Sequence, residues 1–179
     1  MRYIIVDIEA TCWKHGTRSS RMEIIEIGAV CLENGLLTDE FTRFIKPLER
    51  PKLSNFCIEL TTIQQVDVDN ADTFPQVFGD FLNWIGSEPF SWCSWGIYDY
   101  YQFKIDCQRH AIDFPKTLEQ HIDIKQQFSV VKGIKKCGMK RALDILKIPL
   151  EGQHHRGIDD ARNTAKIAMM ILPLVETQE

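Results

Sequence analysis

The sequence predicts an α/β domain on a mixed sheet of about five strands, a meander of three followed by parallel strands, with helices on both faces. Three observations carry this expectation. Strand-like runs open the chain with no helical pattern between them. Beyond them, short apolar runs alternate with segments of helical periodicity. And 179 residues, 44% of them hydrophobic, suit one core closed around such a sheet. No repeat, low-complexity tract or Gly/Ser/Pro-rich linker divides residues 1–179, so a single domain is expected.

Tyr3 to Ile8 is β-branched and apolar enough for a fully buried strand. Ile24 to Leu32 and Phe41 to Ile45 read as two further strands, joined through the Asn34-Gly35 turn signal. The longest turn-like stretches are Lys14 to Ser20 and Pro47 to Asn55. From Thr73 to Ile85, the positions Phe74, Val77, Phe78, Phe81, Leu82 and Ile85 fall at helical spacing, with Thr73 and Pro75 as the start. Phe90 to Trp95 is a short aromatic strand bounded by Pro89 and Gly96, followed by a helix from Tyr98 to about His110. A short strand around His121 to Ile124, a helix from Gly138 to Leu146 ended by Pro149, and a last helix from about Ile158 to Leu172 complete the reading.

Charge and cysteine usage narrow the function classes. Lys+Arg 21 against Asp+Glu 25 leaves a net charge of −4 and a pI near 5.8, which excludes a protein that coats long polyanions or a membrane surface. The run Tyr3 to Val6 is cut off by Asp7, too short for a secretory core or a membrane span, so a cytoplasmic protein without membrane contact is expected. Six cysteines without paired Cys/His spacing argue against zinc and a disulfide framework, and most are expected to be buried apolar residues.

Asp7-Ile8-Glu9 breaks the pattern of a core strand. Alternation puts both carboxylates on one face, about 7 Å apart along the strand. Like charges there repel and lose hydration, so either a divalent cation such as Mg²⁺ or Mn²⁺ neutralises them or Glu9 lies in solvent beyond the strand end. Asp99 follows Gly96 at a strand-to-helix junction, where a first-turn carboxylate is also favoured by the helix dipole alone. In His155-Arg156-Gly157-Ile158-Asp159-Asp160, Asp160 adjoins the buried stripe Ala161, Ala165, Ala168, Met169 and Leu172 and so faces inward, whereas Asp159 reads as a solvated cap. His155 stands before that helix with a side chain suited to proton transfer near neutral pH. His154 is expected to be solvent-exposed.

In their order and contexts, Asp7, Glu9, Asp99, His155 and Asp160 resemble the DEDDh 3′-to-5′ exonucleases of the ribonuclease H-like fold, across nearly the whole chain. The family pattern H-x-A-x-x-D appears here with Gly157 at the small position. Asp7-Ile8-Glu9-Ala10-Thr11-Cys12, Glu23-Ile24-Ile25-Glu26-Ile27-Gly28, Leu53-Ser54 to Phe56-Cys57 with Glu59-Leu60-Thr61, Ala71-Asp72-Thr73-Phe74 and Ser94-Trp95-Gly96 look like the Eri-type branch, which includes the histone-mRNA 3′-exonuclease. That branch implies single-stranded RNA 3′ ends as the favoured substrate, and the RNA-binding SAP domain of some members has no room in this sequence.

The resemblance implies two divalent cations, Mg²⁺ or Mn²⁺, held by Asp7, Glu9, Asp99 and Asp160, with Asp7 bridging and Asp99 acting mainly through bound waters. It implies His155 as general base and nucleoside 5′-monophosphates as products. It also implies sugar contacts from the amides near Ala10 and Thr11 and from Thr61, with Leu60 wedged under the last base. Trp95 is either a base-stacking platform or a core aromatic. Glu26 is either an acceptor behind the ligands or a structural partner. Lys132 to Arg141, with five positive charges, and Arg156 are candidates for upstream phosphate contacts. The competing readings are a DNA-directed exonuclease of the same family, a non-catalytic nucleic-acid-binding module, and a phosphotransferase using Asp7 as covalent nucleophile. The intact five-residue set weighs against the binding module, and the lack of a lysine-anchored phosphate site weighs against the phosphotransferase.

Overall fold

A computed structural model describes residues 1–15 and 21–176. Strands β1 (Arg2–Ala10), β2 (Ile24–Glu33), β3 (Leu36–Phe44), β4 (Ser91–Ser94) and β5 (His121–Asp123) form one sheet in the order β3-β2-β1-β4-β5. The first three are antiparallel neighbours, and β4 and β5 add in parallel on the far side of β1. The β2–β3 turn has Asn34 at φ 52° and Gly35 at φ 81°, the left-handed pair that a tight hairpin of this twist requires.

Among the described residues, seven α-helices flank the sheet: α1 (Asn55–Thr61), α2 (Gln65–Asp69), α3 (Phe74–Ile85), α4 (Tyr98–Arg109), α5 (Ile124–Lys132), α6 (Met139–Leu146) and α7 (Gly157–Glu176). Alternation along β1 feeds two cores. Ile4, Val6 and Ile8 pack with Phe78 and Phe81 of α3 and Phe103 of α4, while Tyr3 and Ile5 pack with Phe128 of α5, Leu143 of α6 and Ala161, Ala165 and Ala168 of α7.

Several boundaries differ from expectation for physical reasons. Strand β3 begins at Leu36 rather than Phe41, because it is an edge strand in which only Phe41 is buried and no alternation marks its start. Helix α1 occupies part of what reads as a turn region. Ser54 caps it by accepting from the Cys57 amide at 3.0 Å, and Thr62 ends it in a left-handed conformation. The strand expected to reach Ile124 stops at Asp123, whose side chain accepts from the Gln126 amide at 2.8 Å and starts α5 instead. Of the turn expected over Lys14 to Ser20, residues 16–20 lie outside the described residues.

Cys31, Cys57, Cys93 and Cys107 are buried and all six cysteines are free thiols. Among the described residues no helix is long and apolar enough to cross a membrane.

Candidate active site

The site forms where β1 outlasts its neighbour. Strand β4 pairs with β1 only from Tyr3 to Ile5, so the β4-facing edge of β1 is open beyond that point. Asp99, in the first turn of α4, fills part of the opening and accepts from the Ile8 amide at 3.1 Å. Asp7 and Glu9 share one face of β1, and Asp160 comes down on that face from α7. Asp7, Glu9, Asp99, His154, His155 and Asp160 line one cleft of roughly 360 Å³, together with Trp95, Tyr98, Gly138 and Met139.

Two interactions seat the start of α7. Glu26 on β2 is fully buried; it accepts from Arg156 Nε and a terminal nitrogen at 3.2 and 3.1 Å and from the Gly157 amide at 2.9 Å. Gly28 and Gly157 then meet backbone to backbone. A Cβ on Gly28 would lie 2.0 Å from the Gly157 carbonyl carbon, and one on Gly157 would lie 3.0 Å from the Asp7 carbonyl oxygen. These contacts fix Asp160 over Asp7.

The electrostatics are those of clustered, desolvated carboxylates. Burial first, then the charges of Asp99, Glu9, Asp160 and Glu26, pushes Asp7 well above the usual carboxylate range. Glu9, 8% exposed, is pushed up by burial and by Asp160, Glu26 and Asp99. Burial lifts Asp99 to about 6 against hydrogen bonds from Ser94 and the Ile8 amide, and burial also raises Asp160. Glu9 stands directly opposite Glu26 in the β1–β2 register, a like-charge pairing that a sheet normally avoids. Carboxylate oxygens of Asp7, Glu9 and Asp160 lie within 4.8 Å of one another. An all-oxygen donor set of this charge fits Mg²⁺ or Mn²⁺.

His155 takes φ 67°, and this left-handed step brings the His154 and His155 rings into a stack 4.0 Å apart. Burial and the neighbouring His154 hold His155 below the usual imidazole range, opposed by Asp160. His154 departs from the solvent-exposed position expected of it. Its Nδ1 stands 2.9 and 3.1 Å from the two Asp160 oxygens, while the His155 amide donates to Asp160 at 3.0 Å.

Several of the residues expected to contact substrate have partners within the fold. The Thr11 amide already donates to the Glu23 carbonyl at 2.8 Å, and its hydroxyl accepts from the Glu23 amide at 3.0 Å. Thr61 is fully buried, its hydroxyl donating to the Cys57 carbonyl and accepting from the Ile63 amide. Both hydroxyls thus already have partners within the fold. Ala10 is buried in the β1–β2 ladder, and its carbonyl accepts from the Cys57 thiol at 3.8 Å. Leu60 is half-buried on α1.

Trp95 lines the cleft but also packs on Phe128 and donates from Nε1 to the Cys137 carbonyl at 3.2 Å. The cleft aromatic with its ring in solvent is Tyr98, 40% exposed, which the sequence reading passed over although it directly precedes Asp99. Arg156 is bound to Glu26 and lies over the Phe44 ring at 5.2 Å, so it is a structural clamp and not a free phosphate ligand.

Residues 4–168 match the family described as Exonuclease (RNase_T). The chain belongs to this exonuclease family. Its solved relatives place it in the DEDDh class: the nuclease domain of 3′hExo, described as a DEDDh family member bound to rAMP, superimposes with a TM-score of 0.91 at 31% identity, covering 96% of this chain and 92% of that one. The ribonuclease H-like architecture expected from the sequence is therefore the one observed. Among curated proteins, ERI1 exoribonuclease 2 of Danio rerio is 34% identical over 94% of this chain and 34% of its own length, and 3′-5′ exoribonuclease 1 of Homo sapiens is 32% identical over 94% and 51%. The chain thus spans about a third to a half of the curated relatives' length. DEDDh exonucleases depend on divalent metal, and the Asp7, Glu9 and Asp160 cluster is a group that could hold such an ion.

Proposed function

We propose that this protein is a metal-dependent 3′-to-5′ exonuclease that removes nucleotides from single-stranded RNA 3′ ends as nucleoside 5′-monophosphates. The observation that carries the reading is the convergence of four buried or half-buried carboxylates, Asp7, Glu9, Asp99 and Asp160, on one open cleft beside His155. Burying that much negative charge opposes folding unless a cation is bound, so the arrangement makes sense as a functional site. The preference for RNA is supported by the exoribonuclease names of the curated relatives.

In this reading Asp7, Glu9, Asp99 and Asp160 would hold the divalent cations, Mg²⁺ or Mn²⁺, which would supply positive charge for an in-line displacement at phosphorus. His155, with a neutral imidazole at neutral pH, removes the proton from the attacking water as the P–O bond to the leaving 3′-oxygen breaks. Its partner His154 keeps the Asp160 carboxylate oriented. Tyr98 offers the exposed ring on which the last base can stack. Six free thiols support a reducing compartment, the cytoplasm.

The test is a time course with 5′-labelled single-stranded RNA, matching DNA and duplexes, in Mg²⁺, Mn²⁺ and chelator. A ladder of RNA products shortened from the 3′ end, absent in chelator and in Asp7→Ala, is expected. If wild type and Asp7→Ala are equally inert on every substrate with both metals, the protein is a binding module. DNA shortened faster than RNA would move the substrate to DNA.

A further inference from the structure

The charge of this molecule is distributed unevenly around the cleft. The ten residues from Lys132 to Arg141 carry five positive charges and no negative one, so the remainder of a chain of net charge −4 carries −9. Lys132, Lys135, Lys136, Lys140 and Arg141 are all exposed along the connection from α5 into the first turn of α6. Lys136 has a partner, Asp123, at 3.3 Å, and that pair is itself half in solvent.

This connection is held at the cleft. Trp95 donates to the Cys137 carbonyl, Gly138 and Met139 line the cleft wall, and Met139 is buried, which anchors the start of α6. The stretch fixed at the end of β1 is acidic by contrast: residues 53–73, which include α1 and α2, contain Glu59, Asp67, Asp69 and Asp72 and no lysine or arginine, with Asp72 paired to Arg43 of β3 at 2.9 Å. That stretch is held there by the Ser54 hydroxyl on the Cys12 carbonyl at 2.5 Å and the Cys57 thiol on the Ala10 carbonyl. A polyanion leaving the cleft is repelled by the acidic stretch and attracted by the basic connection.

We propose that the α5–α6 connection and the first turn of α6 form the track for the backbone phosphates upstream of the reacting 3′ end, with Lys135 and Lys140 as the principal contacts. The proposal rests on the exonuclease reading for the direction of the strand. Contacts of this kind are to phosphate and carry no base preference, so they add affinity for length and not for sequence.

The test uses Lys135→Gln/Lys140→Gln, with Lys116→Gln/Lys147→Gln as a charge-matched control on exposed lysines at the turn before β5 and at the far end of α6. Binding of a labelled single-stranded RNA of about twelve nucleotides is followed by anisotropy in an Asp7→Asn background, across a salt series. The first pair is expected to weaken binding about tenfold and to flatten the logarithmic salt dependence by about 1.4, for two lost single-strand contacts. The control pair should change neither. In the otherwise native protein, the ratio of kcat/KM for that RNA to kcat/KM for a dinucleotide should fall by a similar factor. Equal losses from both pairs, or an unchanged salt slope in the first, would overturn the track and leave the basic face to an acidic protein partner. Failure to cleave the dinucleotide at all would count against the exonuclease reading, while the anisotropy still decides whether this surface binds the strand.

Discussion

Tyr3 and Ile5 lie on the same face of β1 as Asp7 and Glu9, and that face packs toward α7, yet the two halves of the face act oppositely on the folded state. Ile5 is fully buried among alanines of α7, where a side chain of its size contributes about 1.5–3 kcal/mol. Two residues further on, burial raises the free energy of the fold, because Asp7 and Glu9 lose water and face Asp99 and Asp160. One strand therefore carries both the stability of the domain and the strain of its site. The first half makes the second tolerable.

This contrast can be broken from either end. Asp7→Asn should abolish turnover on RNA and, in chelator, raise the melting temperature, since it removes a charge that repels four others; a lowered melting temperature would mean that Asp7 is held by something other than its like-charged neighbours. His155→Ala should slow single-turnover cleavage about 10²–10⁴-fold while leaving metal-induced stabilisation intact, a separation that scanning calorimetry with and without Mn²⁺ reads directly. Ile5→Ala should do the reverse, costing about 2–5 kcal/mol in urea denaturation while the folded fraction keeps its metal response. Tyr98→Ala should weaken binding of the RNA 3′ end by about 1–3 kcal/mol, and Trp95→Ala should mainly lower stability; the opposite pattern would return the base platform to Trp95.

The smallest effect is on pH dependence. With Asp99 raised to about 6 and Asp7, Glu9 and Asp160 raised as well, the metal-free folded protein keeps protons that the unfolded chain releases. The contribution of these groups is full below the ordinary carboxylate range and is lost as pH rises through their raised values, about 6 for Asp99. Melting temperatures in chelator should fall between about pH 5 and 8, and the metal-induced gain should grow over the same interval.

What could be read from the sequence depended on whether a residue's role is local. The three-strand meander, α3 and α4 declare themselves by periodicity and by the Asn34-Gly35 turn. Asp7, Glu9, Asp99, His155 and Asp160 declare themselves as charges or a histidine at element ends. Helices α1 and α2 are seven and five residues long, too short to show a period, and the α1 cap at Ser54 lies in a stretch where Pro47 and Pro51 suggest turns. The occupied state of Thr11 and Thr61 is set by Glu23 and Ile63, and no spacing rule shows that a hydroxyl is already bonded. His154 reads as a surface histidine until the left-handed backbone of His155 turns its ring onto Asp160. Trp95 reads equally as a base platform or a core aromatic, and only the structure shows that the strand stops at Ser94 and that the ring packs on Phe128 and donates to the Cys137 carbonyl.

The meeting of Gly28 with Gly157 has a consequence for how the domain tolerates change. Most helices rest on a sheet through side chains, and their height drifts when a leucine becomes a methionine. The start of α7 rests on bare peptide, which has no rotamers to repack. Asp160 is thus registered against a hard stop, and sequence drift in the two cores can tilt the far end of the helix while the carboxylate keeps its place.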